Sequence, residues 1–143
     1  YWNSDARAII TGMSRGTGKA HIIRAAIESI AYQIKDIVDL MVKNTKIEVK
    51  ELRVDGGPTR NNFLMQFQSD MLGVPVVRTS IEEISALGSA YAAGLTVGLW
   101  KDLHEISKLR LSDSAFESSM PLEIRERNYR GWKRAVSQAL LKT

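Results

Sequence analysis

From Leu52 to Asn61 the chain reads LRVDGGPTRN, and the groups that could do chemistry there belong to the backbone. A short apolar run ends in Asp55, two glycines follow, and Pro58 precedes a helical pattern. In parallel α/β sheets, ligands bind beyond the carboxyl ends of strands. Gly56 and Gly57 carry no side chain, so a ligand can come close to the main chain. The N–H groups of this turn, and those at the helix start near Asn61, can face a phosphate or a ribose. Pro58 stiffens the turn and gives up a donor that no ladder needs. The same turn also forms with no ligand at all, because Gly-Gly turns are common. From these residues alone both readings stand.

Other sources of chemistry are thin. GMSRGTGKA, Gly12 to Ala20, superficially suggests a phosphate loop, which needs Gly, four residues, then Gly-Lys and a hydroxyl residue. Counting back from Gly18-Lys19, the first glycine falls on Met13, and Ala20 stands where the hydroxyl should be. It is not a Walker motif. His21 and His104 lie far apart and neither has ligand spacing to a partner. At a helix start His21 reads as a surface or capping residue. No G-x-S-x-G elbow surrounds any serine. Glu28, Asp36 and Asp39 belong to a helical stretch, where solvated charge is the default.

The elements that must position the glycine pair are legible. Ile23, Ile27, Ile30, Ile34, Ile37 or Val38, and Met41 recur at steps of three and four, which predicts a long amphipathic helix over 20–44. A short strand is expected from Glu51 to Asp55, with Leu52 and Val54 on one face. A helix over Asn61 to Leu72 is closed by Gly73 and Pro75. Pro75 to Thr79 is a second strand. Ser85 can cap a third helix running to about Gly98, and a last helix covers Glu123 to Leu141. Between these two helices the chain is polar and loosely patterned. A further, weaker strand is read at Arg7 to Thr11.

Strands alternating with helices imply parallel pairing through right-handed crossovers. Asp55 to Pro75 leaves room for one crossover with its helix. Two strands and a weak third make a thin sheet for helices this long, so the fold class is α/β and reads as part of something larger. The small residues of ALGSAYAAG are expected to let the third helix press closely on the sheet behind the turn.

Composition bounds the partners. At 143 residues there is room for one domain. The absence of cysteine excludes disulfides and thiolate chemistry, and fits a cytoplasmic location. Ile84 to Trp100 is an uncharged run of 17 residues, but rich in Ala, Gly and Ser, which suits a packed helix better than a membrane span. The formal charge is +4, and the segment from Glu123 to Thr143 accounts for it, with six basic residues and two acidic. A solvated basic helix face explains this, with Tyr129 and Trp132 packing inward, so no nucleic-acid partner is expected.

Longer stretches carry a family resemblance. AIITGMSRGTGKAHIIRAAIES, Ala8 to Ser29, resembles the second signature of the FGGY carbohydrate kinases. The match runs through Ala8, Ile10, Gly12 and Met13, then seven residues later His21, Ile22, Ala25, Ala26, Ile27 and Glu28. LRVDGGPTRNNFLMQFQSDMLGVPVVR and ALGSAYAAGLTVGLWKDL resemble the glycerol-phosphorylating members, and ERNYRGWKRAV, Glu126 to Val136, agrees. Two departures are Ile84-Ser85, where a threonine pair is usual, and Pro58, where alanine is commoner.

The resemblance implies the actin-like, ribonuclease H-like ATPase fold, with ATP or ADP in a cleft between two domains. A phosphoryl group passes to glycerol or a related polyol or sugar. It implies that residues 1–143 are a single partial domain, the C-terminal nucleotide-binding portion, with the N-terminal domain and the start of this domain upstream of Tyr1. In such kinases the second glycine of the turn and the asparagine four residues later contact the nucleotide. By position these are Gly57 and Asn61, with Gly56 adjacent. No residue matches the catalytic base or a metal ligand, so magnesium is expected only of the full-length enzyme. The polyol pocket likewise falls on the missing domain. With part of the sheet and the long helix uncovered, the isolated chain is expected to self-associate as a homo-oligomer. The alternative is a non-catalytic interaction module that keeps the fold without the chemistry.

Overall fold

The structure, a computed structural model, describes residues 3–79, 84–109 and 113–140. The periodic stretch forms helix α1, Lys19–Thr45. Its first turn is closed by His21, whose Nδ1 accepts from the Gly18 N–H at 3.1 Å, the capping role expected of it. Two i,i+4 ion pairs line its flank, Arg24–Glu28 at 2.6 Å and Lys35–Asp39 at 3.1 Å. The helix ends where Lys46 turns left-handed, at φ 60°.

Strand β1, Leu52–Val54, is joined to helix α2, Asn62–Leu72, through the 3-10 helix Gly57–Arg60. Strand β2, Val76–Thr79, follows after a short connection. β1 and β2 pair in parallel, Leu52 opposite Val76 and Val54 opposite Arg78, as the helix-strand alternation predicts. Gly73 closes α2 in the left-handed region at φ 76°, where a Cβ would run into the Arg125 guanidinium.

Helix α3, Ile84–Thr96, the short helix α4, Leu103–Ser107, strand β3, Asp113–Phe116, and helix α5, Leu122–Leu140, complete the chain. β3 pairs antiparallel with β2, Val76 opposite Phe116, so the sheet is mixed, with β2 in the centre. The core is built around α2: Leu64, Met65, Phe67 and Met71 meet Ala31 of α1 and Val76 of β2. Phe116, Tyr129 and Tyr32 pack against them.

Several expectations need correcting. β3 was hidden in the loosely patterned stretch because its core contact rests on one aromatic, Phe116, which gives no period-two signal. α4 was missed too, although Asp102 caps it by accepting from the Glu105 N–H at 2.9 Å, and Asp-x-x-Glu is a helix-start pattern. Residues 7–11 form no strand, since they find no ladder partner among the described residues. Ser85 lies inside α3 and so does not cap it. Nor does α3 press on the sheet: among the described residues none of the hydrophobic core comes from it, and Ala86, Gly88, Ser89 and Ala90 are exposed.

The apolar stripe of α1 is left partly uncovered, as expected. Ala31 is fully buried against α2, but Ile23, Ile30, Ile37 and Met41 are 42 to 58% exposed. The apolar arc is wider than α2 can cover, so α1 has a second apolar face turned outward. Among the described residues no helix is long and apolar enough to cross a membrane.

α5 is fastened to α1 by one carboxylate. Asp36 accepts from the Tyr129 hydroxyl, from the Trp132 indole N–H at 2.8 Å, and from the Lys133 ammonium at 2.8 Å. Trp132 stacks on Tyr32 at 5.5 Å, which places both α5 aromatics inward as expected. Burial alone would raise the Asp36 pKa, but the donors from Lys133, Tyr129 and Trp132 outweigh it and hold the carboxyl below its ordinary value. Burial, followed by the Glu28 charge, pushes the Tyr32 hydroxyl up to about 12. Because the folded Asp36 pKa is depressed, its stabilisation is complete above the ordinary carboxylate range and is lost as pH falls through the folded value. Asp36→Ala should cost about 1–3 kcal/mol at neutral pH, read from urea midpoints, and should flatten the acid limb of stability.

Candidate functional site

The DGG turn sits at the carboxyl end of β1, where a parallel sheet presents its ligands. The two glycines do different work. Gly56 adopts φ 87° and ψ 171°, a region essentially confined to glycine, so the backbone itself requires it. Gly57 opens the 3-10 helix outside the positive-φ region, and a Cβ built on it meets nothing within 4 Å. No contact within the described residues accounts for glycine there, and what its bare Cα leaves open is space.

The turn is held tightly. Thr59, buried, donates its hydroxyl to the Gly56 carbonyl at 2.7 Å, and its N–H reaches the same oxygen at 3.1 Å. Asn61 ends the 3-10 helix and starts α2: its Oδ1 accepts from the Leu64 N–H at 3.1 Å. The cap occupies that oxygen and leaves the exposed amide NH₂ as the group a ligand can use.

Arg78 was not singled out in the sequence, yet it ties this corner to the sheet. Its Nη1 donates to the Thr59 carbonyl and to Asn62 Oδ1, both at 2.9 Å, and its Nε to Ser114 Oγ at 3.2 Å. The signal was available. Strand side chains alternate, so a cation two residues after the buried Val76 shares the core-facing side of β2. A charge there needs specific partners.

The three expected residues therefore lie at one corner, within the turn and the α2 cap. A separate open cleft of about 390 Å³ lies at the start of α1, lined by Thr11, Met13, Ser14, Thr17, His21 and Ile22 among others. None of Gly56, Gly57 and Asn61 lines it. Among the described residues no three or more His, Asp or Glu side chains gather as a metal-ion site would need.

The same fold recurs in known proteins. A glycerol kinase of Plasmodium falciparum, crystallised with ADP, superposes with a TM-score of 0.88 over 99% of this chain and 28% of its own, at 40% identity. A gluconate kinase from Lactobacillus acidophilus, 22% identical, shares the fold, with a TM-score of 0.77 over 97% of this chain and 28% of its own. Glycerol kinase 2 of Thermotoga maritima is 56% identical over 140 residues, 98% of this chain. The chain spans 28% of that relative's length. The class is thus an actin-like ATPase fold as carbohydrate kinases use it. The sequence model of the FGGY family of carbohydrate kinases, C-terminal domain, matches residues 1–97, and the chain belongs to that family as a glycerol kinase-like C-terminal portion.

The division of labour between the glycines can be measured. Gly56→Ala should destabilise by ~1–3 kcal/mol. Gly57→Ala should stay within ~0.5 kcal/mol, as surface changes do. Equal urea midpoints for the two variants would contradict the assignment.

Proposed function

We propose that the chain forms one wall of the ATP/ADP cleft in a longer kinase that phosphorylates glycerol or a related polyol or sugar. The observation that carries this is the empty Cβ position of Gly57 at the carboxyl edge of parallel β1. The ADP-containing glycerol kinase of the same fold supports it. In this reading residues 1–143 are a single partial domain, and the rest of the nucleotide-binding domain, the N-terminal domain and the polyol pocket lie on the remainder of the parent.

The chain's own residues bind and orient. Gly57 lets the nucleotide lie against the main chain, and Gly56 provides the backbone turn that puts it there. Asn61 offers its amide NH₂ to ribose or adenine. The nucleotide supplies the transferable phosphoryl group. Phosphoryl transfer depends on positioning and on stabilising the moving charge. No side chain in this chain is assigned as base, and no step is assigned to a metal.

The exposed apolar face of α1 supports a second element of the proposal. In the isolated chain it is covered by another copy, since patches of this kind on soluble proteins mark interaction surfaces. The isolated 143-residue chain should sediment as an assembly and show no ATP-dependent phosphorylation of glycerol. It should bind ADP no tighter than millimolar, worth ~4 kcal/mol. One wall supplies few contacts against the cost of immobilising a ligand.

The decisive variant is Gly57→Val in the full-length parent. Its side chain enters the space open above the turn, so the KM for ATP should rise about tenfold, ~1.4 kcal/mol, while the polyol KM stays near wild type. An unchanged ATP KM with the fold intact would reduce the glycine pair to a turn.

A further inference from the structure

Arg78 sits at the carboxyl end of the central strand, opposite Val54 on one side and Ser114 on the other. Its acceptors belong to three elements: the Thr59 carbonyl to the 3-10 helix, Asn62 Oδ1 to the first turn of α2, and Ser114 Oγ to β3. The guanidinium also lies over the Phe116 ring, 5.2 Å from its centroid, which fixes its plane. Among the described residues no carboxylate pairs with it, so its hydrogen bonds are spent on placing neutral backbone and side-chain oxygens.

The two turn-side anchors bracket the candidate site in sequence. Gly57 lies two residues before Thr59, and Asn61 one residue before Asn62. The bonds from Thr59 to the Gly56 carbonyl close the turn upon itself, but they cannot fix its distance from the sheet. Arg78 can, because a planar guanidinium holds its donors in a rigid fork where an ammonium holds them on a flexible stem.

We propose that Arg78 is a positioning residue of the nucleotide wall, holding the Gly57–Arg60 turn and the Asn61 cap at a set height above the end of β2. The proposal rests on the nucleotide reading of that turn. Arg78 touches no reacting atom. It acts through Thr59 and Asn62, and its loss should weaken nucleotide binding while leaving the polyol pocket alone.

The test is made in the full-length parent with Arg78→Ala, Arg78→Lys, Asn62→Ala and Gly57→Val side by side. Small displacements of a positioned group cost one to two orders of magnitude, so Arg78→Ala should raise the ATP KM by roughly tenfold. The polyol KM should stay within about twofold under the same logic. Amide exchange at residues 57–61 without ligand should speed up, a change confined to that corner. Arg78→Lys should restore part of both, since one ammonium cannot reproduce the fork. An ATP KM unmoved in Arg78→Ala, with Gly57→Val raising it, overturns the proposal and leaves the nucleotide reading intact. An ATP KM unmoved in Gly57→Val overturns that reading and the proposal with it. If Arg78→Ala does not fold, Asn62→Ala decides: a raised ATP KM with unchanged polyol KM supports the role, and wild-type values count against it.

Discussion

The structure depends on the burial of α2. Leu64, Met65, Phe67, Gln68, Ser69, Asp70 and Met71 are all buried, so almost the full circumference of this helix is inside. That presses its buried polar side chains toward partners, because an unsatisfied buried group costs as much as a lost hydrogen bond or more, and among the described residues Gln68 Oε1 is the atom of this helix left without one. Ser69 donates to the Val74 carbonyl at 2.9 Å, pinning the connection to β2. Asp70 accepts the N–H groups of Ser119 and Met120 at 2.7 and 3.0 Å, which fixes the segment between β3 and α5. Gln68 reaches the Ala31 carbonyl of α1 at 3.4 Å. One helix therefore sets the position of nearly everything around it, and its amino terminus delivers Asn61 to the glycine turn.

From this follows the contrast between the rigid and the loosely attached parts. β1, β2, β3, α1 and α5 all meet α2 or one another around the core. Among the described residues α3 contributes nothing to that core, and α4 is one short turn with no buried residue. Local opening tracks the density of buried contacts. The glycine turn lies on the dense side of that division, fastened to α2, to β2 and through Arg78 to β3. A binding wall gains from that placement, since a preorganised surface loses little freedom when a ligand arrives.

How much of this was legible depended on whether a feature repeats. α1 announced itself through a stripe at helical spacing, and α2 through its Asn61 and Gly73 punctuation. The parallel pair β1 and β2 followed from their alternation with helices. Features that rest on one residue were silent: β3 hangs on Phe116, and the Asp36 cluster joins residues far apart in the chain, while for Arg78 strand alternation gave the side it faces but not its partners. Asp36 read as ordinary helix charge because Tyr129, Trp132 and Lys133 are about a hundred positions away. The site was legible as a turn, since paired glycines after a strand are visible in any sequence. That the backbone requires glycine at 56 and not at 57 could be read only from the φ values. The outward face of α1 was expected only because the sheet looked too thin for its helices: periodicity reports which side of a helix is apolar, never how many neighbours that side has.

The connection Gly73-Val74-Pro75 between α2 and β2 is three residues long, and every one of them is committed. Gly73 is the left-handed cap under Arg125, Val74 holds Ser69, and the Pro75 carbonyl accepts from the Leu52 N–H at 2.9 Å. A strand has a period of two, so its facing is a matter of parity. Insertion of one residue here would leave β2 equally apolar and equally able to pair. It would also turn Val76 and Arg78 to the far side of the sheet and bring Val77 and Thr79 beneath α2. The loop length thus encodes which side of the sheet the guanidinium serves, and natural length variation should gather in the α4 to β3 region and avoid this one.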